Sequence, residues 1–300
     1  MTRRSSAATT VLLLLGLIAF GALPARAQSS TPVRDPQPPV IVTAATPMPD
    51  DDARLDPLEP DFVLVNLPTT LRLPVRAGNF HLTHRFNENL AHDEFSTQAG
   101  NLFGLDTGAN IGLEFRFGVM RHLEAIVQRT SISQDVQFSA KYDGWHQNAT
   151  TPVSVSGIVS IEGDHNFGAS TSSGGTTHYS PALGVVVSRK IGTRLAAYAD
   201  PFWVHNTAGV GLPTRDTGVL GLGARVRVAS TVYVIGDVSP RIGGLVIRDP
   251  LYGFGIEKRV GAHVFALTFT NNPATTFRQM SQGGNPDTLN LGFNLTRKFF

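Results

Sequence analysis

The sequence predicts an all-β fold: a closed, antiparallel, up-and-down transmembrane β-barrel of about twelve strands, behind a disordered N-terminal segment. Three observations carry this expectation. The chain ends on a strictly alternating stretch, one hairpin pattern recurs four times, and an export signal precedes a chain without an apolar run long enough for a membrane-spanning helix.

In the closing stretch 289–300 (LNLGFNLTRKFF), Leu289, Leu291, Phe293, Leu295 and Phe299 share one parity, and Asn290, Gly292, Asn294, Thr296 and Lys298 the other. Such alternation is a strand with one apolar and one polar face. A terminal strand ending on aromatic residues suits recognition by barrel-assembly machinery, so Phe299 and Phe300 are the candidate assembly signal. Arg297 interrupts the apolar parity, and Phe300 falls on the polar one.

At the other end, Arg3 and Arg4 precede the apolar run Val11–Phe20, and Ala25-Arg26-Ala27 fits a small-x-small cleavage site. Residues 1–27 therefore read as a Sec signal peptide. Removing Arg3, Arg4 and Arg26 from the 25 Lys and Arg leaves 22 against 23 Asp and Glu, a net charge near −1 that points to no nucleic-acid partner. The absence of cysteine excludes disulfides, thiolate metal sites and thiol catalysis. Residues 28–60 hold eight prolines, from Pro32 to Pro60, and Asp50-Asp51-Asp52. They read as a disordered periplasmic linker, with a periplasmic partner as the alternative to a plain spacer. Asp61–Leu73 (DFVLVNLPTTLRL) is apolar enough to pack, with the barrel mouth as the expected place. It opens the barrel domain, 61–300.

From Arg76 on, the pattern is strand, turn, strand. Strands are expected at 76–87, 108–118, 122–132, 134–142, 152–162 and 178–189, then at 194–205, 217–228, 231–241, 251–260, 262–271 and 289–300. Most connections alternate short and long, which suits periplasmic turns and outer loops. The third and fourth strands break the alternation. Segments starting at Gly112, Gly184, Gly223 and Gly255 repeat one hairpin, as an up-and-down barrel requires. Pro181, Pro201 and Pro240 each remove a ladder donor and call for bulges or strand ends.

Along each strand the polar parity carries glycine beside charges of both signs, the composition of a narrow polar lumen. Arg85, Glu114, Arg116, Glu124, Lys141, Glu162, Asp200, Arg225, Arg227, Asp237, Arg241, Glu257 and Arg259 are assigned there. Asp200, Arg225, Asp237 and Glu257 are the candidate constriction, joined by Arg85, Glu114 and Arg116. Cross-lumen pairs that hold the barrel's shape are the structural alternative.

Chemical motifs are few. His81 and His84 lie three apart on a strand and point to opposite faces, so they do not form a metal pair. His84 falls on the apolar parity, which calls for a membrane-interface position or a bulge. His178 and Ser180 share a face, as a nucleophile and its base would, but no third group to orient them is identifiable. Gly221-Leu222-Gly223 and Gly253-Phe254-Gly255 lack the third glycine and the strand-to-helix setting of a dinucleotide site, so no cofactor is expected.

VNLPTT (65–70), FHLTHRF (80–86), NLFGLDTGANIGLEFRFGV (101–119), VYVIGDVSPRIGG (232–244) and FNLTRKF (293–299) resemble an uncharacterised bacterial family of membrane-bound β-barrel domains. The resemblance implies topology and outer-membrane location and supplies no catalytic residues. Together these readings predict a narrow outer-membrane channel for passive passage of small solutes. A non-conducting structural or partner-binding barrel is the alternative, and a lipid hydrolase at His178 and Ser180 a third. The partners expected are the lipid bilayer, the assembly machinery and a periplasmic protein on the linker.

Overall fold

The computed structural model describes residues 56–92, 94–106, 108–168, 179–208, 215–245 and 249–299. The signal peptide, residues 28–55 of the linker, His178 and Phe300 lie outside these described residues.

The wall begins with β1 (Gly78–Phe86), β2 (Ala109–Met120), β3 (Leu123–Thr130), β4 (Val136–Trp145), β5 (Ser154–Gly163) and β6 (Tyr179–Ile191). It continues with β7 (Leu195–Val204), β8 (Thr217–Ala229), β9 (Val232–Ser239) and the short β10 (Arg241–Gly243). The last strands are β11 (Leu251–Val260), β12 (His263–Thr270) and β13 (Asn290–Phe299). Two short helices lie in outer loops, α1 (Phe95–Gly100) and α2 (Phe277–Ser281). Neighbours pair antiparallel in sequence order, β9 passes directly to β11, and β1 pairs with β13, which closes the ring. β10 continues β9 beyond Pro240 and pairs with β8, so the ring has twelve staves.

The prolines sit where the ladder tolerates them. Pro240 separates β9 from β10 and is followed by a register shift. Pro181 is third in β6, at its outer end. Between β6 and β7 the pairs Gly184↔Phe202 and Val187↔Ala199 keep one register with none recorded between, across the Pro201 gap.

Closure leaves no free edge, so every stave can lie in lipid with its backbone bonded to neighbours. The exposed large side chains form the lipid-facing belt, including Leu113, Phe115 and Phe117 on β2, Val226 and Val228 on β8, and Phe254 and Ile256 on β11. Their strand neighbours Glu114, Arg116, Arg225 and Glu257 are buried inside. Aromatic groups gather towards the strand ends, as Phe138, Phe167 and Tyr179 do with centroid spacings of 5.8 and 5.6 Å. His84 faces outward near the end of β1, stacked on Phe293 at 4.8 Å and tilted against Phe86 at 4.5 Å. The unbroken register of β1 identifies the interface, not a bulge, as its setting.

On β13, Phe299 is 47% exposed on the lipid side, whereas Lys298 and Thr296 are buried inside. Phe299→Ser is expected to lower the folded outer-membrane fraction more than deletion of Phe300. Quantitative membrane fractionation checks this, and equal or reversed losses contradict it.

Short turns at 121–122, 192–194, 230–231 and 261–262 mark one end of the barrel, with the longer β4–β5 connection (146–153) at the same end. This is the periplasmic end of an outer-membrane barrel.

Candidate functional site

The lumen is filled by described residues of the chain itself. Residues 56–73 run into it from the periplasmic end, turn, and return to the start of β1. The packing place expected for Asp61–Leu73 was the barrel mouth; the structure puts the segment inside the lumen. Residues 56–60, assigned to the linker, also pack here, since the carboxylate of Asp56 meets Lys190 at 2.7 Å and Tyr233 donates to the Pro57 carbonyl at 2.8 Å. Burial raises the Asp56 carboxyl, but the hydrogen bond and charge of Lys190 together with the N–H groups of Leu58 and Glu59 outweigh it, leaving the group below its ordinary value.

The segment closes on itself as a tight hairpin. Leu64 N–H donates to the Leu67 carbonyl and Thr69 N–H to the Phe62 carbonyl, both at 2.8 Å, and Val63 bridges Pro68. Phe62, Leu64, Val65 and Leu67 are each 2% exposed or less. Burial of such side chains is worth roughly 1.5–3 kcal/mol apiece. Leu64, Leu67 and Val65 nest against Gly223, Gly221 and Gly253, where an added Cβ would strike them. Inward glycine therefore saves space for the plug.

Wall charges hold the plug's main chain. Asp237 accepts from the N–H groups of Val65, Asn66 and Leu67 at 3.1, 2.7 and 3.2 Å, and from Asn66 Nδ2 at 3.0 Å. Successive amides converging on one carboxylate make an anion nest. Arg85 donates to the Val65 carbonyl at 3.2 Å and Arg225 to that of Val63 at 3.1 Å. Lys141 donates to the carbonyls of Thr69 and Leu71 at 3.0 and 2.5 Å. Thr296 donates to the carboxylate of Asp61 at 2.8 Å. Phe62 lies beneath both Arg116 and Lys298, with ring distances of 5.5 and 5.2 Å.

Several lumen charges also pair with one another. Arg116 joins Glu114 at 2.5 Å and Glu124 at 3.1 Å, and Lys141 reaches Glu124 at 3.2 Å. Arg225 bonds Glu257 at 2.9 Å. Thus Arg85, Arg225, Asp237 and Lys141 converge on the plug, whereas Glu114, Arg116 and Glu124 form a chain along β2 and β3. Asp200 stands opposite Gly221, near the plug's tip at Leu67.

The outer half is occupied by α2, all five of whose residues are buried. Thr276 caps it by accepting from the Gln279 N–H. Arg278 bonds Asp135 at 2.5 Å and Glu162 at 2.9 Å, and Phe277 packs edge-on against Phe202 at 5.2 Å. The two carboxylates beside Arg278 hold its guanidinium above its ordinary pKa despite the opposing effect of burial. Between α2 and the plug remains a cavity of about 40 Å³, lined in part by Asn66, His81, Gln128 and Gln137. That is room for a few water molecules.

His81 is buried and bonds Thr296 Oγ1 at 2.7 Å and Thr83 Oγ1 at 3.1 Å, facing away from His84. Buried Ser180 donates to the Asn206 carbonyl at 3.0 Å. Among the described residues no cluster of His, Asp and Glu suits a metal.

Bulk at the inward glycines tests the plug's fit. Gly223→Val is expected to displace Leu64 and expose 56–73 to protease while the barrel keeps its heat-modifiable gel mobility. Gly223→Ala does so less, because the closest atom its single methyl meets is the far end of the flexible Leu64 side chain. Unchanged cleavage in Gly223→Val contradicts the packing described here.

Among solved structures, the chain resembles the NanC porin at 8% identity, covering 74% of this chain and 99% of that one, with a TM-score of 0.47. An outer membrane channel from Pseudomonas putida F1 aligns at 11% identity over 76% and 97% of the two chains, with a TM-score of 0.48. Omp33 of Acinetobacter baumannii aligns at 8% identity over 75% and 98%, with a TM-score of 0.39. These likenesses are loose and carry no argument about residues. No curated protein sequence matches the chain. A family model described as a membrane bound beta barrel domain matches residues 61–299, and with the closed, lipid-facing ring this places the protein in the outer membrane. The chain belongs to the membrane-bound β-barrel domain family DUF5777.

Proposed function

We propose that the protein is a gated outer-membrane channel for small polar solutes, held shut by its own residues 56–73. The observation that carries this reading is the plug's attachment. It enters and leaves at the same end, and wall side chains on β1, β4, β8 and β9 hold it through hydrogen bonds to its main chain. Withdrawal toward the periplasm breaks no covalent bond and uncovers Arg85, Lys141, Arg225, Asp237 and Glu257. These charges, with Asp200, then select solutes by size and charge. Glu114 and Arg116 flank the path. The linker joins the plug to the periplasm, so a periplasmic partner that pulls on 28–55 is the natural opener. The barrel-assembly machinery reads the β13 terminus, with Phe299 and Phe300 as the signal.

The filled outer half favours a second reading, a non-conducting barrel whose interior is structural. No catalysis is assigned, because the Ser180 hydroxyl is committed to a main-chain carbonyl. Single-channel recording separates the two readings. The full chain is expected to open rarely, and a chain lacking 58–72 and carrying Arg278→Ala to open often. Sustained silence of that shortened chain, inserted and folded, sinks the channel.

A further inference from the structure

The wall's grip on the plug is mostly a grip on main-chain atoms. Asp237 takes three consecutive N–H groups, while Arg85, Arg225 and Lys141 take carbonyls. Any peptide bent into the same tight turn offers these groups at this spacing. Apolar side chains fill the hollows that Gly221, Gly223 and Gly253 leave for Leu67, Leu64 and Val65, and the polar side-chain contacts described above within residues 61–69 are confined to Asn66 with Asp237 and Asp61 with Thr296.

We propose that the inner wall is a receptor for short peptides that bend into a tight turn and carry small or medium apolar side chains, and that residues 61–69 occupy it as a tethered stand-in. This rests on the channel reading, since a free peptide reaches the wall only after the plug has left. It names the solute class of that channel.

A second observation comes from Asp200. It is 2% exposed, the Val187 N–H is directed at its carboxylate, and among the described residues no cation lies within ion-pair distance of it. A buried carboxylate left without a counter-ion is costly. The plug, continuous with the chain on both sides, has no free amino terminus to offer there. A short peptide has one, and its α-ammonium suits the unpaired carboxylate near the plug's tip.

The full chain carrying Leu64→Cys is the reporter. The native chain has no cysteine, and Leu64 is 1% exposed, so a thiol reagent reaches this position only when the plug has left. Leu67→Cys serves as a second reporter in case the first loosens the packing. Val-Ala-Leu at about ten times its dissociation constant is expected to accelerate labelling about elevenfold, by mass action on the plug-free state. The same peptide methylated on its amide nitrogens lacks the amide donors that Asp237 takes and leaves the rate unchanged.

Labelling unmoved by Val-Ala-Leu, in a chain where Asp237→Ala does accelerate it, overturns the receptor and leaves the channel standing. Acceleration by a peptide of residues 61–69 and not by Val-Ala-Leu also overturns it, because the wall then fits its own plug alone. If Asp237→Ala brings no acceleration either, the plug does not leave and both readings fall.

Discussion

Asp237→Ala is expected to raise the plug-free population on the order of a hundredfold to a few thousandfold, seen as a matching rise in channel open probability. The residue accepts four hydrogen bonds from the plug's tip, three of them from main-chain amides. Bonds to a charged acceptor contribute about 1.5–3 kcal/mol each, and they are not additive. The amides left unmade at Val65, Asn66 and Leu67 add their own desolvation cost, so the loss is on the order of 3–5 kcal/mol. Each 1.4 kcal/mol or so is a factor of ten. Asp237→Asn keeps one acceptor oxygen and is expected to fall between. The staves stay bonded in every case, so the barrel should insert normally. An open probability unchanged in Asp237→Ala contradicts the assigned role.

The second large effect belongs to the outer half. Arg278→Ala removes the cation shared by Asp135 and Glu162, two carboxylates 1% exposed or less. Breaking a buried pair by deleting one partner costs about 3–5 kcal/mol, because the remaining charge stays desolvated. Here two charges are stranded, and α2 is held at this point by little else that is ionic. The loop 272–288 is expected to become protease-sensitive. Conductance should rise further when Arg278→Ala is combined with Asp237→Ala than with either alone, since the two barriers stand in series. Arg278→Lys keeps the charge but loses the two-pronged guanidinium, so it should be intermediate. Protection of the loop in Arg278→Ala would show that the packing of Phe277 against Phe202 and the hydrogen bonds of Phe277 N–H to Gln137 and Gln279 to Asp135 hold α2 without the cation.

The wall was legible because a stave obeys one local rule. Alternation separates Leu113, Phe115 and Phe117 from Glu114 and Arg116, and the structure turns the first group to lipid and buries the second. The irregular third and fourth strands were legible too, because the short link 131–135 and the longer 146–153 are visible as turn spacing. The plug was not legible, because its contacts lie 170 or more residues away for Asp237 and follow no period. A signal was nonetheless present. Tyr198, Val219, Tyr233 and Leu251 fall on the polar parity and are 1% exposed or less. A water-filled lumen has no use for such residues. Together with Gly221, Gly223 and Gly253, they called for a filling, and DFVLVNLPTTLRL was the apolar stretch left without a place. The helix α2 was missed for a related reason, since five residues inside a long loop gain their stability from Arg278 and Phe277 contacts, not from helical periodicity.

The central claim is that residues 56–73 are a removable plug. The hydroxyls of Thr70 on the plug and Ser188 on β6 stand 2.5 Å apart, and the native chain has no cysteine to interfere. Thr70→Cys with Ser188→Cys should therefore form a disulfide that pins the plug to the wall without displacing it. The decisive measurement is planar-bilayer conductance of this pair in the Asp237→Ala background, oxidised and then reduced. The plug account predicts silence when oxidised and frequent openings after reduction. Equal conductance in the two states, with the disulfide verified, would contradict it.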